Sequence, residues 1–208
     1  IVEIKTMKIL LAGSEGYIGT VLRDELLRRG HEVIGLDTGF YAEGWFADDG
    51  PRPEFVRKDT RNIAPDDLRG FDAVVHLADL SNDTLGQNDP ELTRDINYRG
   101  TVALAKAAKA AGVPRFIYGS SCSVYGVATT DVVEETSPVN PQTAYAECKI
   151  RSEQDILQLA DDSFSPVILR NATAYGVSPR MRFDLAVNNL AGWAETKREV
   201  RLTSDGTP

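Results

Sequence analysis

Cysteine, histidine, methionine and tryptophan each occur only twice in the 208 residues. Two cysteines, Cys122 and Cys148, are too few for a disulfide framework or a thiolate metal centre, and no metal site is expected. Positive charge is also scarce: 23 Lys and Arg against 31 Asp and Glu leave a net charge of −8. That argues against a nucleic-acid or anionic-membrane surface, so any phosphate must be bound locally, at helix termini or by a few arginines. Apolar runs stay far short of the roughly 20 residues that a membrane helix needs. Internal repeats and low-complexity tracts are missing as well. Nothing ahead of the first strand reads as a signal peptide, and residues 1–6 read as a remnant or a short leader. A reduced, cytoplasmic protein is the expectation. With 42% hydrophobic and 26% charged residues, one soluble domain with a sizeable core is feasible.

What is present is concentrated between Met7 and Asp37. An apolar run, Ile9-Leu10-Leu11-Ala12, leads into evenly spaced Gly13, Gly16 and Gly19. A helical pattern follows from about Tyr17 to Arg29, then a second apolar run from Val33 to Leu36 that ends on Asp37. Strand, glycine turn, helix, strand and acid in that order are what a dinucleotide site needs. One glycine permits a sharp turn, another lets backbone N–H groups approach a pyrophosphate, and the third lets helix and strand pack closely. A carboxylate about twenty residues on can accept hydrogen bonds from both adenosine ribose hydroxyls and would repel a 2′-phosphate. NAD is therefore favoured over NADP. A glycine triplet alone would show only a tight turn.

Strand-like and helical segments alternate beyond it, the pattern of an α/β fold with a doubly wound parallel sheet and helices on both faces. Phe40, Tyr41, Trp45 and Phe46 are read as covering a sheet edge rather than an adenine. Further strands are expected over residues 54–56, 73–77, 115–119, 166–170 and near 200–203. Helices are expected over 90–112, 143–159 and 183–196. His76 lies inside an apolar strand and reads as a satisfied core histidine. Asn97, inside the long helix, faces solvent or braces the neighbouring loop.

Tyr145 and Lys149 stand four apart on a predicted helix and so share one face. A free phenol, with a pKa near 10, is a poor base at neutral pH. An adjacent ammonium favours the phenolate and can also reach a nicotinamide ribose. Ser121, at the end of a neighbouring strand, can donate to the same substrate oxygen. Together they suit proton transfer at a hydroxyl while hydride passes to or from a nicotinamide. A tyrosine and a lysine at this spacing also occur by chance on solvated helices. The upstream glycine fingerprint and serine run favour the catalytic reading.

With these residues assembled, the chain resembles the extended short-chain dehydrogenase/reductases, specifically the NAD-dependent nucleotide-sugar epimerases and dehydratases, from Met7 to about Pro208. The likeness rests on Gly13, Gly16, Gly19, Asp37, Asp59-Thr60, His76-Leu77-Ala78-Asp79, Ser120 to Gly126, and Tyr145 to Lys149. It implies a Rossmann domain over residues 7–170 and the start of a truncated substrate-binding region over 171–208. It implies that Tyr17 and Ile18 bind pyrophosphate, Asp37 and Thr38 the adenosine ribose, and Asp59 and Thr60 the adenine. Leu77, Ala78, Asp79, Asn97 and Ala172 would line the cofactor path. Ser81, Ser121, Ser123, Thr173, Asn189 and Leu190 would meet a nucleotide-sugar substrate. A homodimer with a four-helix contact is implied too.

Three departures stand out. The family's 4,6-dehydratases carry Asp-Glu after the active-site serine or threonine, whereas this chain has Cys122-Ser123, which argues for epimerisation or simple reduction. Thr173 replaces an expected asparagine in Arg170 to Gly176. Asp79 replaces a common alanine, an added charge with no role visible in the sequence. Arg180 and Arg182 suit a diphosphate or a sugar carboxylate, or are simply solvated. The leading reading is a C4 epimerase of an NDP-hexose. A 4-ketoreductase of a deoxysugar and a non-catalytic NAD sensor or scaffold are the alternatives.

Overall fold

The apolar runs assemble into one six-stranded sheet in which every pairing is parallel. A computed structural model describes residues 5–46, 55–81, 87–127 and 132–202. The strands are β1 (Lys8–Ala12), β2 (Glu32–Asp37), β3 (Phe55–Arg57), β4 (Ala73–His76), β5 (Arg115–Ser121) and β6 (Ser165–Asn171). Their spatial order, β3-β2-β1-β4-β5-β6, places a switch point between β1 and β4. That order is the Rossmann arrangement, with ligands expected beyond the carboxyl ends on either side of the switch.

Both faces of β1 are covered, which is why its sequence is continuously apolar. Leu10 and Ala12 join a cluster with Leu36, Val74, Phe116, Leu104, Ile156 and Phe164. Ile9 and Leu11, pointing the other way, are also buried. α1 (Tyr17–Arg28) packs on β1 and β2. α3 (Thr101–Ala110) and α4 (Ala144–Leu157) contribute Leu104 and Ile156 to the main cluster. Thr143 caps α4, its hydroxyl accepting from the Ala146 N–H at 3.2 Å.

The helix expected over 90–112 is not uniform. It runs as α2 (Pro90–Arg94), a π-helical turn (Asp95–Gly100) and α3. The wide turn buries Asn97 completely, so Asn97 does not face solvent. Of the strand expected near residues 200–203, the described residues 200–202 form none. α5 (Ala186–Lys197) ends at Arg198 with φ 56°, and residues 199–202 pair with no strand of the sheet. Glu54, Asn82, Asp83 and Thr203 lie outside the described residues. Three of the four clustered aromatics make ring contacts away from the sheet. Trp45 lies over the Arg23 guanidinium of α1, Tyr41 over that of Arg180, and Phe46 meets Phe183 edge-on at 5.9 Å. Cation–π and aromatic contacts therefore tie residues 41–46 to α1 and to the loop before α5.

Candidate active site

The glycine turn is shaped by close approach of backbone to backbone. A Cβ on Gly19 would stand 1.9 Å from the Gly13 carbonyl oxygen, and one on Gly13, at φ 87°, would stand 2.7 Å from the Leu77 carbonyl carbon. No side chain caps the start of α1, and its first turn holds no acid. The first-turn N–H groups of Tyr17, Ile18 and Gly19 are thus left for an anion at the positive end of the helix. Asp37 and Thr38 follow at the carboxyl end of β2. The Asp37 carboxylate accepts from the Glu15 N–H at 3.2 Å and the Gly39 N–H at 2.9 Å, which fixes it beside the turn.

Across the switch point, β4 ends at His76 and the chain passes through Leu77, Ala78, Asp79, Leu80 and Ser81. Asn97 holds this loop from below, accepting from the Leu80 N–H at 2.8 Å and donating to the Leu80 carbonyl at 2.9 Å. Both ends of its side-chain amide are committed to the loop at Leu80. His76 is fully buried, with Nε2 2.8 Å from Thr101 Oγ1, and burial lowers its pKa to about 4. It is a neutral core residue, but not the fully satisfied one that its strand suggests, because Nδ1 is buried with no hydrogen-bond partner.

Tyr145 and Lys149 share the inner face of α4, with the Lys149 Nζ 5.4 Å from the Tyr145 ring centre and 4.5 Å from that of Tyr118. Lys149 is 3% exposed. Its ammonium donates to the Gly119 carbonyl and pairs with the Asp79 carboxylate at 2.6 Å. Burial alone would push the lysine pKa down, but Asp79, Tyr118 and Tyr145 outweigh it and the net direction is up. Asp79 also accepts from Tyr118 Oη at 3.2 Å and Thr101 Oγ1 at 3.3 Å. Its side chain is thus buried among Lys149, Tyr118 and Thr101.

Two adjacent serines on β5 diverge. Ser120 is buried and bonded to Glu153, which in turn pairs with Arg170 at 2.7 Å. Ser121 Oγ lies at the strand end, where it accepts from the Ser123 N–H at 3.2 Å and caps the turn Cys122–Tyr125. Ser123 Oγ is buried with no hydrogen-bond partner. Arg170 also reaches the Tyr125 hydroxyl and the Glu135 carbonyl. This clamp joins β6, α4 and the turn after Ser121, and its acid, Glu153, carried no signal in the sequence.

The sheet thus carries an uncapped glycine turn after β1, the Asp37 carboxylate at the end of β2, Ser121 at the end of β5, and a tyrosine–lysine pair on α4. Residues 9–208 match the NAD dependent epimerase/dehydratase family. The chain belongs to that family. It is 36% identical over 157 residues to a UDP-glucose 4-epimerase of Mycolicibacterium smegmatis, covering 71% of this chain and 49% of that protein. A UDP-glucose 4-epimerase of Streptomyces lividans is 32% identical over 206 residues, covering 95% and 56%. The chain spans about half the length of these curated relatives. Among solved structures, the NAD-dependent NDP-hexosamine 5,6-dehydratase of tunicamycin biosynthesis superposes with a TM-score of 0.85 at 29% identity. That likeness covers 96% of this chain and 65% of that one. UDP-glucuronic acid 4-epimerase of Bacillus cereus gives 0.80 at 28%, covering 97% and 67%.

The family is NAD dependent, and the residues present fit that cofactor: the glycine cradle would be filled by any Cβ, and the uncapped α1 terminus suits a pyrophosphate. Not every expected contact is placed alike. Asp59 is held by Arg61 at 2.7 Å, which keeps its pKa below the usual carboxylate range, and Thr60 beside it is buried. Ala172 and Thr173 are exposed beyond β6. Ser81 Oγ accepts from Arg182 Nη1 at 2.9 Å, so Arg182 is not simply solvated. Asn189 is exposed, donating to the Phe183 carbonyl at 3.0 Å, and Leu190 is half-buried.

It is the preceding Asn188 that is buried. It donates to the Tyr17 hydroxyl at 3.0 Å and accepts from the Gly176 N–H at 2.9 Å. Asn188 therefore ties α5 to the glycine turn, a link that two consecutive asparagines left open in the sequence. Among the described residues, no group of three or more His, Cys, Asp or Glu could hold a metal ion, and no helix is long and apolar enough to cross a membrane.

Proposed function

We propose that the protein is an NAD-dependent epimerase acting at C4 of an NDP-hexose, with Tyr145 as the proton carrier. The placement of Tyr145 one helical turn from the buried Lys149 ammonium carries this reading. NAD, when bound, supplies a reversible hydride acceptor. Tyr145 takes the proton of the sugar hydroxyl as its oxygen becomes a carbonyl, and returns it once the other face is presented. Ser121 donates to that oxygen, while the Lys149 ammonium favours the phenolate and reaches toward the nicotinamide ribose. Residues 171–202 begin the substrate side, with Ser81, Ser123, Thr173, Asn189 and Leu190 toward the sugar nucleotide. The curated relatives named 4-epimerase support the choice, as does Cys122-Ser123 where the family's 4,6-dehydratases have Asp-Glu. The family resemblance further supports a homodimer through a four-helix contact that includes the helices over residues 90–112 and 143–160.

Incubation of the full-length protein with UDP-glucose is expected to yield UDP-galactose without consuming added NADH. Tyr145→Phe should lower that rate at least about 100-fold, within the range of general acid–base catalysis. Net NADH consumption with a 4-keto sugar would replace this reading by a ketoreductase. Unchanged turnover in Tyr145→Phe would overturn it.

A further inference from the structure

The family resemblance puts Asp79 along the cofactor path but gives its added charge no role, and that carboxylate is among the most enclosed charges in the site. Its side chain and that of Lys149 are each 3% exposed and 2.6 Å apart. Since Lys149 Nζ is 5.4 Å from the Tyr145 ring, the carboxylate lies within about 8 Å of that ring. We propose that Asp79 is a positioning residue and built-in counter-charge: it anchors the Lys149 ammonium beside Tyr145 and, by offsetting its charge, sets the pH range in which Tyr145 exchanges its proton. This rests on the reading of Tyr145 as the proton carrier.

The surroundings leave few other charges to do this. From β4 and its loop come His76 and Asp79, from β5 Tyr118, and from α4 Glu147, Cys148 and Arg151. α2 contributes Arg94 on the Cys148 side, and the loop before α5 brings Arg182 toward Tyr145. Burial keeps His76 neutral down to about pH 4, pushes Cys148 up to about 11, and raises Tyr118 further still. Among the described residues, the charges placed about Tyr145 through the neutral range include Lys149, Asp79 and Arg182, the last paired with Asp184 at 2.6 Å. A lone ammonium would strongly favour the phenolate, whereas an ammonium paired with a carboxylate acts as a dipole whose nearer end is only partly positive. Tyr118 and Thr101 donate to the carboxylate and fix its direction, so the offset is part of the fold and independent of surface salt.

The test titrates Tyr145 directly, by the ultraviolet absorbance of its phenolate after subtraction of the matching Tyr145→Phe protein. Wild type, Asp79→Asn, Lys149→Met and the double variant are compared. Asp79→Asn is expected to lower the Tyr145 midpoint by about one to one and a half pH units, as for a unit charge roughly 8 Å away at an effective dielectric constant near 20. The double variant should titrate within about one unit of wild type, and Lys149→Met above both. Should Asp79→Asn fail to fold, the comparison of wild type with the charge-free double variant carries the test. Coincident midpoints for wild type and Asp79→Asn, or a wild type about two units below the double variant, would overturn the proposal. Because the readout is ionisation, it separates from the activity. The expected order in a protein without epimerase activity would leave the counter-charge standing and remove the proposed function.

Discussion

Asn97 and Leu80, seventeen residues apart, exchange two hydrogen bonds, of 2.8 and 2.9 Å, between one buried amide and both backbone groups of a loop residue. The π-helical turn makes this possible by rotating Asn97 inward, and Ser152 Oγ donates to the Asn97 carbonyl that the turn frees, at 3.1 Å. Asn97→Ala would leave an N–H and a C=O of the loop unpaired. A loss of about 2–4 kcal/mol is expected, measured by urea unfolding, since each unsatisfied buried group costs roughly 1–3 kcal/mol. Asn97→Asp keeps the acceptor for the Leu80 N–H but turns a second oxygen on the Leu80 carbonyl. Its loss should be at least as large and should grow as pH rises and the buried carboxyl ionises.

Gly19 and Gly30 separate close packing from backbone conformation. Gly19→Ala places a methyl 1.9 Å from the Gly13 oxygen and should abolish NAD retention, followed by the absorbance of cofactor that copurifies. Gly30, at φ 83°, has nothing within 4 Å of its Cβ position. Gly30→Ala should cost only about 1–2 kcal/mol, the strain of a left-handed residue, with NAD binding unchanged.

The pH dependence of stability carries a signature of His76. Its pKa is about 4 when folded against 6.5 for a free imidazole, because burial disfavours the charged ring. A depressed folded value means that the unfolded chain binds the proton first as pH falls. The contribution is fully present above about pH 6.5 and is lost progressively toward pH 4, a total of about 3 kcal/mol. Urea midpoints of wild type should fall more steeply across that window than those of His76→Gln.

Asp37 should govern the choice between NAD and NADP. Its carboxylate is already oriented by the Glu15 and Gly39 N–H groups. Asp37→Asn removes the charge that repels a 2′-phosphate. The ratio of NAD to NADP affinity should fall by about 10- to 100-fold, for a like-charge contact of on the order of 1–3 kcal/mol. Isothermal titration with each cofactor reads this out, and an unchanged ratio would assign the discrimination elsewhere.

The reading of Gly13 to Asp37 depends on local spacing. Glycines, helix and acid lie within one β-α-β unit, and a single turn and crossover carry them into place. Tyr145 and Lys149 are legible for the same reason, since four residues on a helix share a face in any tertiary context. Ser121 is set apart from Ser120 only by the family resemblance, as the serine four residues before Tyr125 in Val124-Tyr125-Gly126; in the structure Ser120 turns toward Glu153 and Ser121 stands at the strand end.

Contacts made across the sheet order had no such signal. Asp79 and Lys149 are 70 residues apart, Tyr17 and Asn188 171, and Ser120 and Glu153 33. Each pair exists because β4 and β5 are neighbours, α4 packs back on β5, and the loop before α5 folds over the glycine turn. The sequence by itself determined the dinucleotide turn and the tyrosine–lysine face, because short-range helix and strand geometry places them. Only the tertiary structure decided what surrounds that lysine. Whether a charge is opposed depends on which distant side chain is buried beside it, and local periodicity holds no record of that.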